Sequence, residues 1–158
     1  MAKNLIFSDE EAAFLKELVK RNVNFIIVGL SAAALQGAPI VTQDIDLWFQ
    51  NLSDPGIKIA LKKAGGIFVP SIGLNPATFA GENVKLFDIV TTMHGLDSFE
   101  NEIQNTIDLP LGKTYIKILR LERIIKSKEA AGREKDKIVL PVLKDALMTI
   151  KKLENFQE

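Results

Sequence analysis

The chain contains no cysteine. That excludes disulfides, thiolate zinc sites and cysteine nucleophiles together, and it accords with a reducing compartment. There is one histidine, His94, so at most one histidine can serve a catalytic dyad or a metal site. Acid–base and metal chemistry then falls mainly to carboxylates and lysines. Net charge is missing as well: 20 Lys and Arg balance 20 Asp and Glu, which argues against a surface that coats nucleic acid. No apolar run reaches membrane-spanning length, and the N-terminus lacks the basic-then-apolar order of a secretory leader. The expectation is a soluble, cytoplasmic protein with no membrane partner. Internal repeats and low-complexity tracts are also absent.

What is present is the material of one ordinary domain. The 158 residues are 47% apolar, enough for a sizeable core. Ser8 and Glu11 form a capping box ahead of a helix with Ala12, Leu15, Leu18 and Val19 on one stripe. "NFIIVG" reads as an apolar strand ending at Gly29, and "LSAAALQG" as a short helix stopping at Gly37. "DIDLWFQ" follows as a strand, then "GIKIALKKAGG" as a helix closed by Gly65 and Gly66. "IFVP" reads as a short strand. Residues 70–83, rich in Gly, Pro and Asn, read as a loop with little regular structure. "VKLFDIV" is a strand, "SFENEIQN" a short helix, and "TIDLPLGKTYIKIL" a strand–turn–strand about Gly112. Two helices close the chain, one ending at Gly132 and one carrying Pro141, where a bend is expected. The interleaving implies one mixed α/β domain over 1–158, with an α/β core to about residue 118 and C-terminal helices over about 119–158.

The chemistry begins in "TQDIDLWF". Side chains alternate along a strand, so Asp44 and Asp46 point the same way with Cα atoms roughly 7 Å apart, while Ile45 and Leu47 face the core. Two carboxylates on one edge repel each other, and a divalent cation relieves that; magnesium favours such hard oxygen ligands. Asp88, in "VKLFDIV", is a third acid in an apolar β run. If its strand pairs near the first, the three acids form a cluster able to hold two cations for displacement at phosphorus. The rival reading leaves them solvated or bonded to backbone at strand ends. Ahead of the pair, "FIIVGLSAAALQG" joins a strand, a glycine and a helix start. Gly29 permits close approach to the backbone, Ser31 offers a hydroxyl, and helix N-termini favour phosphate.

Taken together, the apolar strand, "VGLSAAALQG", and Asp-apolar-Asp in "TQDIDLWF" resemble the signature of the DNA polymerase β-like nucleotidyltransferase superfamily. Asp88 falls where that family carries its third carboxylate. "ILRLERIIKSKEAAGREKD" resembles the tail of small prokaryotic members, where a Lys, an Arg and a Lys-Asp pair recur. The likeness spans roughly residues 23–148. It implies a roughly five-stranded mixed sheet flanked by helices and a helical C-terminal cap. It implies transfer of a nucleoside monophosphate from an NTP such as ATP to a hydroxyl, with release of pyrophosphate. Asp44, Asp46 and Asp88 would be catalytic and would hold Mg2+, as one ion or two, with Asp88 helping to deprotonate the acceptor. Gly29, Ser31 and Thr42 would contact the nucleotide.

The segment Lys113–Lys137 holds nine basic and four acidic residues, a net +5 against −5 elsewhere. Most of it reads as a solvated helical face. Lys128, Arg133 and Lys135 cluster about Gly132, where a turn can bring them to the phosphates across the cleft; the rival reading has Asp136 pairing with Arg133 or Lys128. His94 reads as a turn or surface residue, and Trp48 as core or cleft wall.

The acceptor stays open among tRNA, a protein side chain and a small hydroxylated molecule such as an aminoglycoside, with the resemblance favouring tRNA or protein. Small prokaryotic proteins of this type often belong to toxin–antitoxin or phage-defence pairs, so a cognate toxin or antitoxin protein joins the expected partners, as does a second copy in a homodimer. One position departs from the family pattern: Leu30 follows Gly29 where Gly or Ser is usual. It sustains a second reading, a catalytically weakened nucleotidyltransferase-fold binding module or antitoxin. A third is a metal-dependent phosphohydrolase built on the same three acids.

Overall fold

The structure, a computed structural model, describes residues 6–156. The first five residues and the last two, on which the leader expectation and the outermost domain limits fall, lie outside that range.

Helix α1 (Asp9–Lys20) opens with the expected capping box. The Glu11 amide donates to Ser8 Oγ at 3.0 Å, and the Ser8 amide donates to Glu11 Oε1 at 2.9 Å. Two orphan donors are satisfied at the helix start. Its buried face is Phe14, Leu15 and Leu18. Strand β1 (Phe25–Val28) follows, then α2 (Gly29–Leu35), β2 (Ile45–Phe49), α3 (Pro55–Lys63) and β3 (Ile67–Val69). The stretch expected to be an irregular loop contains a further strand, β4 (Thr78–Ala80), antiparallel to β3. Phe79 explains it: its ring is buried against Phe14, Phe49 and Phe68, and that packing outweighs the turn-forming residues around it. Strand β5 (Phe87–Val90), helix α4 (Phe99–Glu102) with a 3-10 turn, and the hairpin β6 (Thr106–Leu111)–β7 (Thr114–Leu119) come next. The chain ends in α5 (Leu121–Ala131) and α6 (Glu134–Phe156), and α6 continues as one helix through Pro141.

The main sheet runs β5-β2-β1-β7-β6. Strand β1 is antiparallel to β2 and parallel to β7, while β2 is parallel to β5. Every residue of β1 is buried, as a central strand covered on both faces requires. Ile26, Ile27, Ile45, Leu47, Ile116 and Ile118 form the middle of the core. Trp48 is a core residue, edge-on to Phe99, with its indole N–H donating to the Thr91 carbonyl at 3.1 Å.

Two polar ties place the C-terminal helices. The Gln36 carboxamide donates to the Leu119 carbonyl at 2.8 Å and accepts from the Leu121 amide at 3.0 Å. It thereby fixes the start of α5 against the end of α2. Glu102, its side chain fully buried, takes Arg123 of α5 through two nitrogens at 2.9 and 2.6 Å. Helix α5 packs on α2 and on α6, and its far end lies at the N-terminal end of β2 and against the loop after β5.

Candidate active site

The alternation read from "DIDLWF" is realised. Ile45 and Leu47 are buried while Asp46 is half-buried on the opposite face and Asp44, just before the strand, is exposed. The parallel register pairs Asp46 with Asp88 of β5, and the antiparallel register sets Val28 beside Asp46. One step beyond Val28 lies Gly29, with φ +67°. A Cβ there would overlap Asp46 Oδ2. Two demands therefore coincide on this glycine: a left-handed backbone and an empty space that the Asp46 carboxylate fills.

Asp46 feels its surroundings strongly. Burial, then the charges of Asp88 and Asp44, push its carboxyl up to about 6, while Lys128 and Lys135 pull the other way. Asp88 is also raised, by burial and by Asp44. Two carboxyls raised in part by neighbouring carboxylates mark a place short of positive charge.

The cations stand opposite. A cavity of about 480 Å³ is lined by Gly29, Leu30, Thr42 and the three aspartates on one side, and by Ser127, Lys128, Arg133, Lys135 and Asp136 on the other. Gly132, with φ +61°, ends α5 and turns the chain into α6, which brings the two groups of basic residues together. Asp136 is buried and pairs with both Arg133 (2.8 Å) and Lys128 (3.5 Å). The rival pairing expected from sequence is thus present, and the cations line the cavity all the same.

Ser31 is placed elsewhere. Its side chain is fully buried, donating to the Val28 carbonyl at 2.8 Å and accepting from the Asp46 amide at 3.2 Å. It ties the α2 turn to β1 and β2 and does not reach the cavity. Thr42 does line it, its hydroxyl donating to the Asp44 carbonyl at 3.1 Å. His94 lies in an exposed turn, as expected, and that turn lines the cavity with Thr92 and Met93. The cause is Gly95: with φ +72°, it seats the loop against Ala130 of α5, where any Cβ would overlap the Ala130 methyl. A glycine next to the lone histidine was the available signal, and it has many other meanings in a sequence. None of residues 70–83 borders the cavity.

As placed, no three His, Asp or Glu side chains among the described residues are close enough together to hold a metal ion. The fit is one of donor chemistry: an all-oxygen carboxylate set with mutual repulsion, of the kind hard divalent cations take.

No protein-family model matches the chain, and no curated protein matches it. Solved structures do. ANT(2")-Ia, crystallised in complex with adenylyl-2"-tobramycin, is similar with a TM-score of 0.57 at 14% identity, over 88% of this chain and 88% of its own. An antigenic nucleotidyltransferase-like protein from Paracoccidioides brasiliensis gives a TM-score of 0.57 at 16% identity, over 91% of this chain and 78% of its own. The chain has the nucleotidyltransferase fold. In that fold's terms, the five-stranded mixed sheet carries the aspartates on β2 and β5 and the C-terminal helices supply the basic wall. Among the described residues, no helix is long and apolar enough to cross a membrane.

Proposed function

We propose that the protein is a magnesium-dependent nucleotidyltransferase that moves a nucleoside monophosphate from an NTP to a hydroxyl. The observation that carries this reading is the Asp46–Asp88 register facing Lys128, Arg133 and Lys135 across one cavity. In the reaction the acceptor oxygen attacks the α-phosphorus, the bond from that phosphorus to the bridging oxygen breaks, and pyrophosphate leaves. The acceptor proton passes to Asp88, whose raised affinity for protons suits a base. Lys128, Arg133 and Lys135 offset the charge that grows on the departing pyrophosphate. Asp44, Asp46 and Asp88 would hold Mg2+, which when bound supplies positive charge to the triphosphate and acidifies the attacking hydroxyl. Gly29 and Thr42 border the nucleotide.

The chain acts as one domain over 1–158, with 1–118 as catalytic core and 119–158 completing the phosphate wall. The acceptor is tRNA, a protein or a small molecule; the adenylylated tobramycin held by ANT(2")-Ia supports a hydroxylated small molecule. A toxin–antitoxin or defence role is supported by the resemblance of the C-terminal tail, and a cytoplasmic setting by the cysteine-free composition.

The test is calorimetric titration with each of the four NTPs, with and without magnesium, on wild type and Asp46→Asn. Magnesium-dependent binding by wild type alone supports the reading, and labelled NTP then identifies the acceptor. Absence of binding removes it in favour of a binding module. Leu30 supports that second reading, since its side chain lines the cavity beside Gly29.

A further inference from the structure

The nucleotide reading uses Lys128 and Arg133 as phosphate ligands and leaves Asp136 unexplained. This carboxylate is 1% exposed, at the floor of the cation wall. It accepts from Arg133 Nε at 2.8 Å, from Arg133 Nη2 at 3.3 Å and from the Arg133 backbone amide at 3.1 Å. Oδ1, the oxygen that takes Arg133 Nη2, also lies 3.5 Å from Lys128 Nζ. One buried acid therefore holds two cations that come from different helices' ends.

Its charge is secure. Hydrogen bonding from Arg133 brings the Asp136 carboxyl down to about 2, so it is ionised at neutral pH. What it leaves free matters as much. Arg133 spends Nε and Nη2 on Asp136, and among the described residues Nη1 has no partner. The Arg133 side chain is 53% exposed, on the cavity side of the pair. Lys128 stands between two acids: Asp136 on one side, and Asp46, whose carboxyl its charge stabilises, on the other. Long basic side chains lose about 2 kcal/mol of rotamer freedom when fixed. A buried carboxylate that fixes two of them beforehand removes that cost from ligand binding. The cluster of Lys128, Arg133, Lys135 and Asp136 keeps a positive surplus, so the clamp still attracts phosphate.

We propose that Asp136 is a positioning residue that holds Lys128 and Arg133 as a preformed clamp for the β- and γ-phosphates of the nucleotide. The inference rests on the nucleotide reading above and assigns the part of the ligand that the basic wall grips. It touches no substrate itself and acts through the two cations.

The experiment compares the NTP that wild type binds best with its own monophosphate, by calorimetry in magnesium, on wild type, Asp136→Asn and Asp136→Glu. A clamp for the outer phosphates predicts that Asp136→Asn weakens NTP binding by about tenfold and monophosphate binding by less than about threefold. Asp136→Glu, which keeps the charge, recovers most of the loss. A purely structural role lowers the melting temperature and weakens both ligands alike, which would overturn the inference. An NTP affinity in folded Asp136→Asn equal to or above wild type would overturn it too, the second case meaning that Asp136 masks the cations. Should Asp136→Asn not fold, Asp136→Glu and a Lys128→Gln/Arg133→Gln variant are measured instead: the pair must lose the same NTP-over-monophosphate preference, and adding Asp136→Glu must change it no further. Failure of wild type to bind any NTP removes the nucleotide reading and this inference with it, whereas wild-type binding that is indifferent to Asp136 removes only the inference.

Discussion

Asp46 and Asp88 stand opposite each other in the parallel pairing of β2 with β5, two acids at one register position of one sheet. Like charges directly across a pair of strands destabilise the sheet. The fold keeps them, and burial together with the Asp88 charge raises the Asp46 carboxyl, while burial and Asp44 raise Asp88. Strain of this kind gathers at functional sites.

That cost has a sign that can be measured. The Asp46 carboxyl sits at about 6 in the folded chain against 3.8 as its ordinary value. Between those values the folded state binds more protons than the unfolded one. The stabilising contribution of the protonated form is full below the lower value and is lost as pH rises through 6. Asp46→Asn removes the penalty, so at pH 7 the variant should be more stable by roughly 1–2 kcal/mol. Thermal denaturation at pH 7 and pH 4 reads this as a gain at pH 7 that shrinks at pH 4.

The same carboxylates predict a pH limit for nucleotide binding. Ligand carboxylates must be ionised to take a metal. Magnesium-dependent NTP binding should therefore weaken as pH falls below about 6, the level to which Asp46 is raised. Calorimetry across pH 5–8 should show the loss in wild type, with magnesium-independent binding of the monophosphate changing less.

Gly29→Ala should fail on two counts. Its φ of +67° strains any residue with a side chain, at about 1–2 kcal/mol, and the new methyl occupies the place of Asp46 Oδ2. Displacement of that carboxylate should lower stability and remove magnesium-dependent nucleotide binding together. A variant that melts lower yet binds NTP normally would show that Asp46 can move without consequence.

Ser31→Ala separates structure from binding. The hydroxyl bonds Val28 and the Asp46 amide inside the protein. Its loss should destabilise by about 1–3 kcal/mol. Nucleotide affinity should stay within about threefold, because the side chain does not line the cavity.

Glu102→Gln tests how α5 is held. Burial of Glu102 is outweighed by its bonds from Arg123, which bring its carboxyl down to about 2 from 4.5. It adds stability above the upper value and loses it as pH falls towards 2. Removing its charge leaves the Arg123 cation without its counter-ion and with one acceptor in place of two, and should cost about 3 kcal/mol, read as a lower denaturation midpoint at neutral pH. Gentler acid unfolding should accompany it.

Much of this was legible in the chain itself. The capping box, the apolar β1 run, the alternation about Asp46 and the glycine stop at 132 are local signals, since each depends on neighbours within a few residues. The fold was legible for that reason, and so were the residues from β2, β5 and the turn after α5 that line the cavity. Ser31 was misplaced because sequence shows that a hydroxyl is near the turn but not which way it points. Strand β4 was missed because its reason to exist is Phe79 meeting Phe14, Phe49 and Phe68, residues far apart in the chain.

By itself the sequence determined most of the elements, β4 excepted, and the chemical types at their ends: three carboxylates in β-type runs, a glycine before the first pair, and a basic turn after α5. Local sterics, hydrophobic period and capping suffice for that. Only the tertiary structure decided that Asp46 stands opposite Asp88, that its carboxylate fills the space in front of Gly29, and that Asp136 collects Lys128 and Arg133 beneath the cavity. Those relationships come from strand register and from the seating of α5 by Gln36 and Glu102. Register and seating are properties of the whole packed core, in which residues dozens of positions apart must satisfy each other at once.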